Sequence, residues 1–276
     1  MTLITLTTDF GNKDFSVAAV KGAIYQQNRN VTIVDISHEI TPFHIYEAAY
    51  VLENACFEFP DNTIHIIGVE AERTINKEHV IAKIDNQFFI AADNGIISLL
   101  SVKRELTSLV KIDQFSEAFQ SFPELDVFAK IAGFLAKGVH LTKLGSFISG
   151  PKEVSSILPS FDKDRNQITA KVIYIDHYGN VVTNITKSFF DAHSNGNPFV
   201  IEARSVKIKE IYGSYNSAIK EEVEKGINAA GKKMALFNSS GYLELAIYKS
   251  NPKTTGAANT LFGLQYMDIV KVVFSS

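Results

Sequence analysis

The chain has little cysteine, little net charge and no long apolar run, and each of these shortages excludes a class of protein. Its 276 residues include one cysteine, Cys56, so no intrachain disulfide is possible and nothing indicates an oxidising compartment. The net charge is only -3, which gives no electrostatic case for nucleic acid or an anionic membrane as partner. No apolar run reaches the length of a bilayer span, and no basic segment precedes the first strand-like run. We therefore expect a cytoplasmic protein that binds neither nucleic acid nor membrane.

Motifs of common metal and cofactor sites are missing as well. The sequence contains no P-loop, no Cys and His cluster at metal-ligand spacing and no internal repeat. We expect neither a metal ion nor a separate cofactor. Apolar residues make up 46% of the chain and charged residues 21%, which is typical of a globular protein with a substantial core.

The first strand-like run, residues 3–8, ends at Asp9. A turn containing Gly11 follows, and the pattern predicts a helix that begins near Asp14. Ligands of open parallel sheets bind beyond the carboxyl ends of the strands. Asp9 is therefore a candidate acceptor for the hydroxyls of a ribose-like ligand, with Asp14 beside it. The alternative is that both carboxylates only cap the helix.

Three further strand-like segments end in acidic or amide side chains. They are residues 31–36 with Asp35, residues 63–69 with Glu70, and the hairpin of residues 80–84 and 88–92 with Asp93 and Asn94. If these strand ends share one edge of a sheet, the carboxylates need a polyhydroxylated or cationic ligand, because clustered charges without partners are costly. Asn94 is then a further candidate for contact with this ligand.

The organisation of the chain changes near its middle. Residues 45–57 and 124–137 read as helices, residues 103–121 as a loop, and residues 144–161 as a linker rich in Gly, Pro and Ser. We predict an α/β fold class, with an N-terminal α/β domain of mostly parallel sheet over residues 1–160. Short alternating strands later in the chain predict a smaller C-terminal antiparallel β-barrel or sandwich over residues 166–276.

The second half also has its own polar turns. Asp176, Asn180 and nearby polar residues crowd into a short stretch around Gly179. A hairpin turn accounts for Gly179 and Asn180, but not for the other polar side chains. The turn containing Ser239 is either an ordinary loop or a grip for a carboxylate ligand.

Several of these segments resemble one known family. In chain order they are LTTDFG with a following VKG, VDISHEITPF, FPDNTIHI, ADNG, IDHYGNVVTNI and NSSGYLELA. They are similar to blocks of the S-adenosylmethionine hydroxide adenosyltransferases, relatives of the fluorinases and chlorinases, over nearly the whole chain. The resemblance implies a homotrimer in which S-adenosylmethionine, as substrate, binds between the N-terminal domain of one subunit and the C-terminal domain of its neighbour.

The resemblance also implies roles for individual residues. Asp9 matches the aspartate that holds the ribose hydroxyls, and Phe43 matches an aromatic residue that packs on the ligand. The turn around Gly179 is one residue shorter than in the halogenases. The implied contacts in the second domain are Asp176 and Asn180 with the methionine amino group and the adenine, Tyr215 stacked on the adenine, and Ser239 with the methionine carboxylate.

The catalytic set departs from the family pattern of Asp, Arg and His. Glu70 stands in place of the aspartate, Arg73 or Lys77 falls near the arginine, and Phe134 falls at the histidine. We predict hydrolysis of S-adenosylmethionine to adenosine and methionine, with Glu70 as the base that activates water. The alternative is a protein that binds S-adenosylmethionine or adenosine with lost or altered catalysis. A halogenase is disfavoured, because the Glu70 carboxylate would repel a halide ion.

Overall fold

A computed structural model describes residues 2–115 and 121–275. The chain divides into two compact units, Met1–Ser155 and Ser156–Ser276. Within the described residues, no helix combines the length and the apolar character needed to cross a bilayer.

The described part of the first unit forms a seven-stranded sheet. In chain order its strands are β1 (Thr2–Thr8), β2 (Val31–Ser37), β3 (Ile64–Gly68), β4 (His79–Ile84), β5 (Gln87–Ala92), β6 (Leu106–Ile112) and β7 (Gly145–Phe147). The spatial order is β2-β1-β3-β5-β4-β6-β7. All strands run in one direction except β4 and β7, which pair antiparallel with their neighbours. The predicted mostly parallel sheet is confirmed.

Helices cover this sheet. They are α1 (Ser16–Gln27), α2 (Ile45–Ala55), α3 (Ile96–Ser101) and α4 (Ala129–Ala136), the last preceded by a π-helical turn, Glu124–Phe128. Ile66 of β3 belongs to one apolar cluster, and Ile67 beside it belongs to the other. Because both faces of the parallel strands are buried, their sequences read as continuous apolar runs rather than alternating ones.

One expectation for the first unit is wrong. The sequence predicts a loop over residues 103–121, but β6 occupies part of this segment and pairs with β4; residues 116–120 lie outside the described residues. The linker predicted over residues 144–161 contains the division between the two units at Ser155 and Ser156, although β7 already begins at Gly145. A Cβ atom at Gly145 would lie 1.8 Å from the carbonyl oxygen of Lys111, so this glycine permits a close strand contact rather than a flexible connection.

The described part of the second unit is a nearly closed, barrel-like sheet. Its strands are β8 (Ser160–Asp162), β9 (Gln167–Ile175), β10 (Val181–Thr186), β11 (Phe199–Ala203), β12 (Val206–Ile208), β13 (Ile211–Tyr212), β14 (Lys233–Phe237), β15 (Tyr242–Ile247) and β16 (Ile269–Phe274). Their order is β12-β11-β16-β9-β10-β15-β14-β13, with β8 beside β9. Pairing is antiparallel except between β13 and β14. The predicted α/β fold class, with a barrel in the second half, is confirmed.

Short helices complete the second unit. They are α5 (Lys187–Ser194), α6 (Tyr215–Ala218), α7 (Lys220–Glu224) and α8 (Ala258–Phe262). The helix α6 begins with a capping box, in which Ser214 and Ser217 satisfy each other's backbone N–H groups. This cap fixes the start of α6 and therefore the position of Tyr215, its first residue.

Candidate functional site

The first-unit cavity lies beyond the carboxyl ends of β1 and β3 and has a volume of about 150 Å³. Its aromatic lining residues are Phe10, Phe43 and Phe122. Its acidic lining residues are Asp9, Glu70, Glu72 and Glu124. So many carboxylates around a small space favour a cationic or hydroxylated ligand over an anion.

Asp9 is anchored by a backbone contact from a distant loop. Its Oδ2 atom accepts a hydrogen bond of 2.8 Å from the N–H of Phe43, which has a left-handed φ of 63°. Burial raises the pKa of Asp9, while the N–H groups of Phe43 and Glu70 oppose that rise. The first helix starts at Ser16, and its N-cap, Phe15, receives no side-chain cap bond. The arrangement therefore supports a ligand-facing Asp9 rather than a helix cap.

Glu70 follows β3 in a strained backbone conformation, with φ at 49°. Such strain in a residue other than glycine is typical of functional loops. Asn94 lies behind this loop, and its Nδ2 donates to the carbonyl oxygens of Val69 at 3.0 Å and Glu70 at 3.3 Å. The structure thus makes Asn94 a support for the Glu70 backbone, although the sequence suggested it as a ligand contact.

One of the two candidate cations lies next to Glu70. Lys77 Nζ donates to the Glu70 carbonyl oxygen at 3.0 Å and to its Oε1 atom at 3.2 Å. Arg73 instead forms an ion pair with Glu78. Of the two residues left open by the sequence, Lys77 thus contacts the Glu70 carboxylate.

Glu124 is a lining residue that sequence reasoning missed as a site residue. It is only 4% exposed, and it opens the π-helical turn directly after Pro123. A Cβ atom on Gly68 would lie 2.8 Å from the Cγ and Oε1 atoms of Glu124, so the absence of a side chain at Gly68 makes room for this carboxyl group. Burial raises the pKa of Glu124 to about 7, and the charges of Asp9 and Glu72 add to the rise. An acidic residue opening an apolar helix directly after proline was the available signal.

Other candidates of the first half lie elsewhere. Asp14 is exposed and precedes α1 without lining the cavity. Phe134, expected at the family's histidine position, packs in the core, with its ring centroid 6.5 Å from that of Phe115. Asp35 is ion-paired with Lys21 at 2.5 Å.

The remaining strand-end acid, Asp93, does not line the cavity either. Its Oδ1 atom accepts a 2.8 Å hydrogen bond from the N–H of Lys152. Of the four predicted strand-end acids, the structure therefore brings only Asp9 and Glu70 to the first-unit cavity.

The second-unit cavity has a volume of about 740 Å³. The predicted residues Asp176, Asn180, Tyr215 and Ser239 all line it. Tyr178 and Phe237 add aromatic surface. A large cavity with aromatic walls and a few polar groups suits a flat, partly polar ligand.

A continuous chain of hydrogen bonds crosses the wall of the second-unit cavity. Asn180 donates from its backbone N to Asp176 Oδ1 at 2.8 Å and from Nδ2 to Asp176 Oδ2 at 2.9 Å. Asn180 Nδ2 also donates to the Tyr215 hydroxyl at 3.2 Å, and that hydroxyl donates to Glu244 Oε1 at 2.8 Å. The network holds the two carboxylates of Asp176 and Glu244 on one surface.

Glu244 is the second residue that the sequence did not reveal. It lies on β15 between Leu243 and Leu245 and is 7% exposed. Burial raises the pKa of Glu244, as does the nearby charge of Asp176. Burial and the neighbouring Glu244 also raise the pKa of Tyr215. A lone carboxylate within an otherwise apolar strand was the available signal.

Within residues 2–115 and 121–275, no group of three or more His, Cys, Asp or Glu side chains has an arrangement suited to holding a metal ion.

Family models match both halves of the chain. The model described as SAM hydroxide adenosyltransferase N-terminal domain matches residues 4–145, and the corresponding C-terminal domain model matches residues 170–271.

Full-length relatives agree with these matches. A protein of Methanocaldococcus jannaschii named (R)-S-adenosyl-L-methionine hydrolase is 26% identical over 99% of this chain and 96% of its own length. A protein of Thermus thermophilus with the same name is 24% identical over 94% of each chain. A fluorinase of an Actinoplanes species is 24% identical over 67% of this chain and 72% of its own length.

The fold has a counterpart among solved structures. An uncharacterised conserved protein from Thermotoga maritima superposes with a TM-score of 0.82. It is 22% identical in sequence, and the match covers 99% of this chain and all of the other. At this identity the match establishes a shared fold.

Proposed function

This chain belongs to the SAM hydroxide adenosyltransferase family, and we propose that it hydrolyses S-adenosylmethionine to adenosine and methionine. The observation that carries the proposal is the acidic first-unit cavity, where Asp9 follows β1 and Glu70 follows β3. Its carboxylates suit the positive charge of a sulfonium and the hydroxyls of a ribose. The relatives named as S-adenosylmethionine hydrolases support the same reaction.

In the first unit, Asp9 is proposed to bind the ribose. The Phe43 N–H holds Oδ2 in place, and the remaining lone pairs of the carboxylate would accept from the two ribose hydroxyls. The Phe43 ring is 64% exposed, so it is available to pack against the ligand. Asp14 is not retained in this proposal because it does not line the cavity.

In the second unit, the ring of Tyr215 is proposed to stack on the adenine. The paired carboxylates of Asp176 and Glu244 suit the methionine ammonium, since buried acids need a cationic partner. Ser239 lines the same cavity and would donate to the methionine carboxylate. Asn180 would contact the adenine while it keeps its hydrogen bonds to Asp176 and Tyr215.

The reaction is proposed to need no separate cofactor. The sulfonium already makes methionine a neutral leaving group, so the protein has only to place and deprotonate a water opposite the C5′–S bond. Glu70 lies beside Lys77, which holds its carboxylate in place for contact with this water. Glu70 is therefore placed to orient the attacking water, which is part of the role predicted for it from the sequence.

We further propose a homotrimer in the cytoplasm. The family resemblance implies a ligand shared between the first unit of one subunit and the second unit of its neighbour. The single, buried, unpaired Cys56 is compatible with a reducing compartment.

Subunit mixing tests the shared site directly. We expect Asp9→Ala and Asp176→Ala proteins to be weakly active alone but to regain activity when denatured and refolded together. Random mixing leaves up to about one quarter of shared sites with both halves unaltered. No rescue, or a monomer in light scattering that still binds S-adenosylmethionine, would contradict the shared site.

The main experiment is incubation of pure protein with S-adenosylmethionine and chromatographic detection of adenosine and methionine in equal amounts. A matched reaction with chloride or fluoride tests for halogenated nucleoside, which we do not expect. Binding of S-adenosylmethionine in calorimetry without release of adenosine would contradict hydrolysis and support the alternative of a binding protein.

A further inference from the structure

Glu124 is the most deeply buried acid on the wall of the first-unit cavity. It is 4% exposed, whereas the side chains of Glu70 and Glu72 are 39% and 62% exposed. Its carboxyl group occupies the space that a side chain at Gly68, at the end of β3, would fill. Its position on the cavity wall is therefore set by packing against the sheet.

Glu70 and Glu124 have neighbours of opposite charge. Lys77 Nζ lies 3.2 Å from Glu70 Oε1, and a proton moving onto Glu70 would break this ion pair. The charges that act most on Glu124 are the negative ones of Asp9 and Glu72. A proton moving onto Glu124 relieves that repulsion.

The elements that pack against the turn of Glu124, and the loops next to them, carry several charged groups and histidines. They are Asp9 after β1; His65 on β3, which is bonded to Thr5 and Gln87; Glu70, Glu72, Arg73, Lys77 and Glu78 between β3 and β4; His79 on β4, whose ring contacts Phe128; Lys21 on α1, which pairs with Asp35; Lys130 on α4, whose Nζ lies 4.8 Å from the centroid of the Phe115 ring; and Asp126 in the same turn. Of these cations, Lys77, Arg73 and Lys21 are ion-paired with other carboxylates.

We propose that Glu124 is a further catalytic residue, the group that takes the proton from the attacking water, while Glu70 only orients that water. This inference rests on the proposed hydrolysis and deepens it. The sequence had assigned both tasks to Glu70, and the structure divides them between two carboxylates on one cavity.

The step balances without a co-reactant. The water oxygen forms a bond to C5′ of the ribose as the C5′–S bond breaks, and the electron pair of that bond stays on sulfur, giving neutral methionine. One O–H bond of the water breaks, and its proton moves to the Glu124 carboxylate. Glu124 then releases the proton to solvent when adenosine leaves.

A base whose pKa is close to the working pH is the most effective proton acceptor. The pKa of Glu124, raised to about 7, meets this condition. The pH dependence of kcat/KM reports the free enzyme, so it should fall about tenfold per pH unit below about 7. In the kcat profile this fall should lie at lower pH, because the bound sulfonium favours the ionised carboxylate.

The deciding experiment compares three variants over a range of pH. Glu124→Gln should lower kcat by about 10²–10⁴-fold and abolish the fall in kcat/KM near neutral pH. Glu70→Gln should lower kcat but keep that fall. Glu72→Gln, an exposed change on the same cavity, should move the fall to lower pH, because it removes a charge that raises the pKa of Glu124.

A control separates a chemical role for Glu124 from a purely structural one. Glu124→Gln and Glu124→Asp should both bind adenosine as the wild type does, and Glu124→Asp should recover part of the rate. Loss of adenosine binding in both variants would show a structural role and overturn the inference.

Two further outcomes would also overturn it. If Glu124→Gln keeps the wild-type rate, or keeps the fall near neutral pH, Glu124 is not the base and the proposed hydrolysis still stands. If the wild-type protein releases no adenosine, the proposed function fails first and the inference fails with it.

Discussion

The acid-lined cavities of the first and second units treat buried acids in opposite ways. In the second-unit cavity, Tyr215 and Asn180 tie the carboxylates of Glu244 and Asp176 into one hydrogen-bonded network. In the first-unit cavity, Glu124 is buried next to other negative charges. The hydrogen-bonded network of the second-unit cavity orients its carboxylates. The crowded charges of the first-unit cavity instead make the gain and loss of a proton by Glu124 easy near neutral pH.

This difference matches the roles that we propose for the two cavities, with proton transfer in the first-unit cavity and recognition of the adenine and the amino acid in the second-unit cavity. Recognition requires charges that stay fixed, since every freely rotating group loses entropy when the ligand binds. Proton transfer requires a group that is not fully stabilised in either protonation state. The small first-unit cavity, about 150 Å³, suits the reacting atoms, and the larger one, about 740 Å³, suits the adenine and the amino acid.

The largest expected effect is a pH-dependent stabilisation by Glu124→Gln. The folded-state pKa of Glu124 is about 7 against an ordinary 4.5, so the folded protein binds more protons than the unfolded chain between these values, and its stability falls as pH rises through them. The difference corresponds to at most about 3 kcal/mol. Urea denaturation should therefore show that Glu124→Gln gains stability relative to wild type from about pH 5 to about pH 8.

The exposed neighbour Glu72 provides the matched control for this measurement. Glu72→Gln should give only a small part of this pH dependence, because its side chain is 62% exposed and it acts only through the pKa of Glu124. A constant stability difference between Glu124→Gln and wild type across the pH range would contradict an unusually protonated Glu124.

Much of the first unit could be predicted from its sequence. The parallel strands are buried on both faces, so they stand out as apolar runs, and each run ends where a polar residue meets the sheet edge, as Asp9 does after β1. The strand β6, LTSLVKI, carries mixed polar and apolar residues, and its place in the sheet depends on pairing with β4, which no local pattern shows.

The residues of the site could be predicted only where the local backbone decides which way the side chain faces. Asn94 precedes Gly95, whose φ of 107° turns the chain so that Asn94 binds the backbone of Glu70 instead of a ligand. Acids in the first turn of a helix usually face solvent and the helix dipole. The burial of Glu124 depends on the empty space beside Gly68, a tertiary contact invisible in the sequence.

A smaller effect is expected for ribose recognition by Asp9. Replacing Asp9 by Ala removes a charged acceptor from two hydroxyls, so the affinity for adenosine should fall by about 1.5–3 kcal/mol. Titration calorimetry with adenosine measures this, and Asp14→Ala is the comparison, because Asp14 is exposed outside the cavity. Equal losses in the two variants would show that Asp9 is not a specific ribose contact.

The smallest expected effect tests whether the second-unit network is truly fixed. Tyr215→Phe keeps the ring that would stack on adenine but removes the hydroxyl that donates to Glu244 and accepts from Asn180. The carboxylate of Glu244 then keeps the 3.4 Å bond from Asn238 Nδ2 but is held less firmly, and we expect the affinity for S-adenosylmethionine to fall by about 0.5–1.5 kcal/mol. Adenosine, which has no ammonium group, should bind Tyr215→Phe almost as tightly as wild type.

Tyr178→Phe is the matched control, since Tyr178 lines the same cavity but is 68% exposed. If Tyr215→Phe weakens both ligands equally, the hydroxyl shapes the whole cavity rather than holding the acids that face the ammonium.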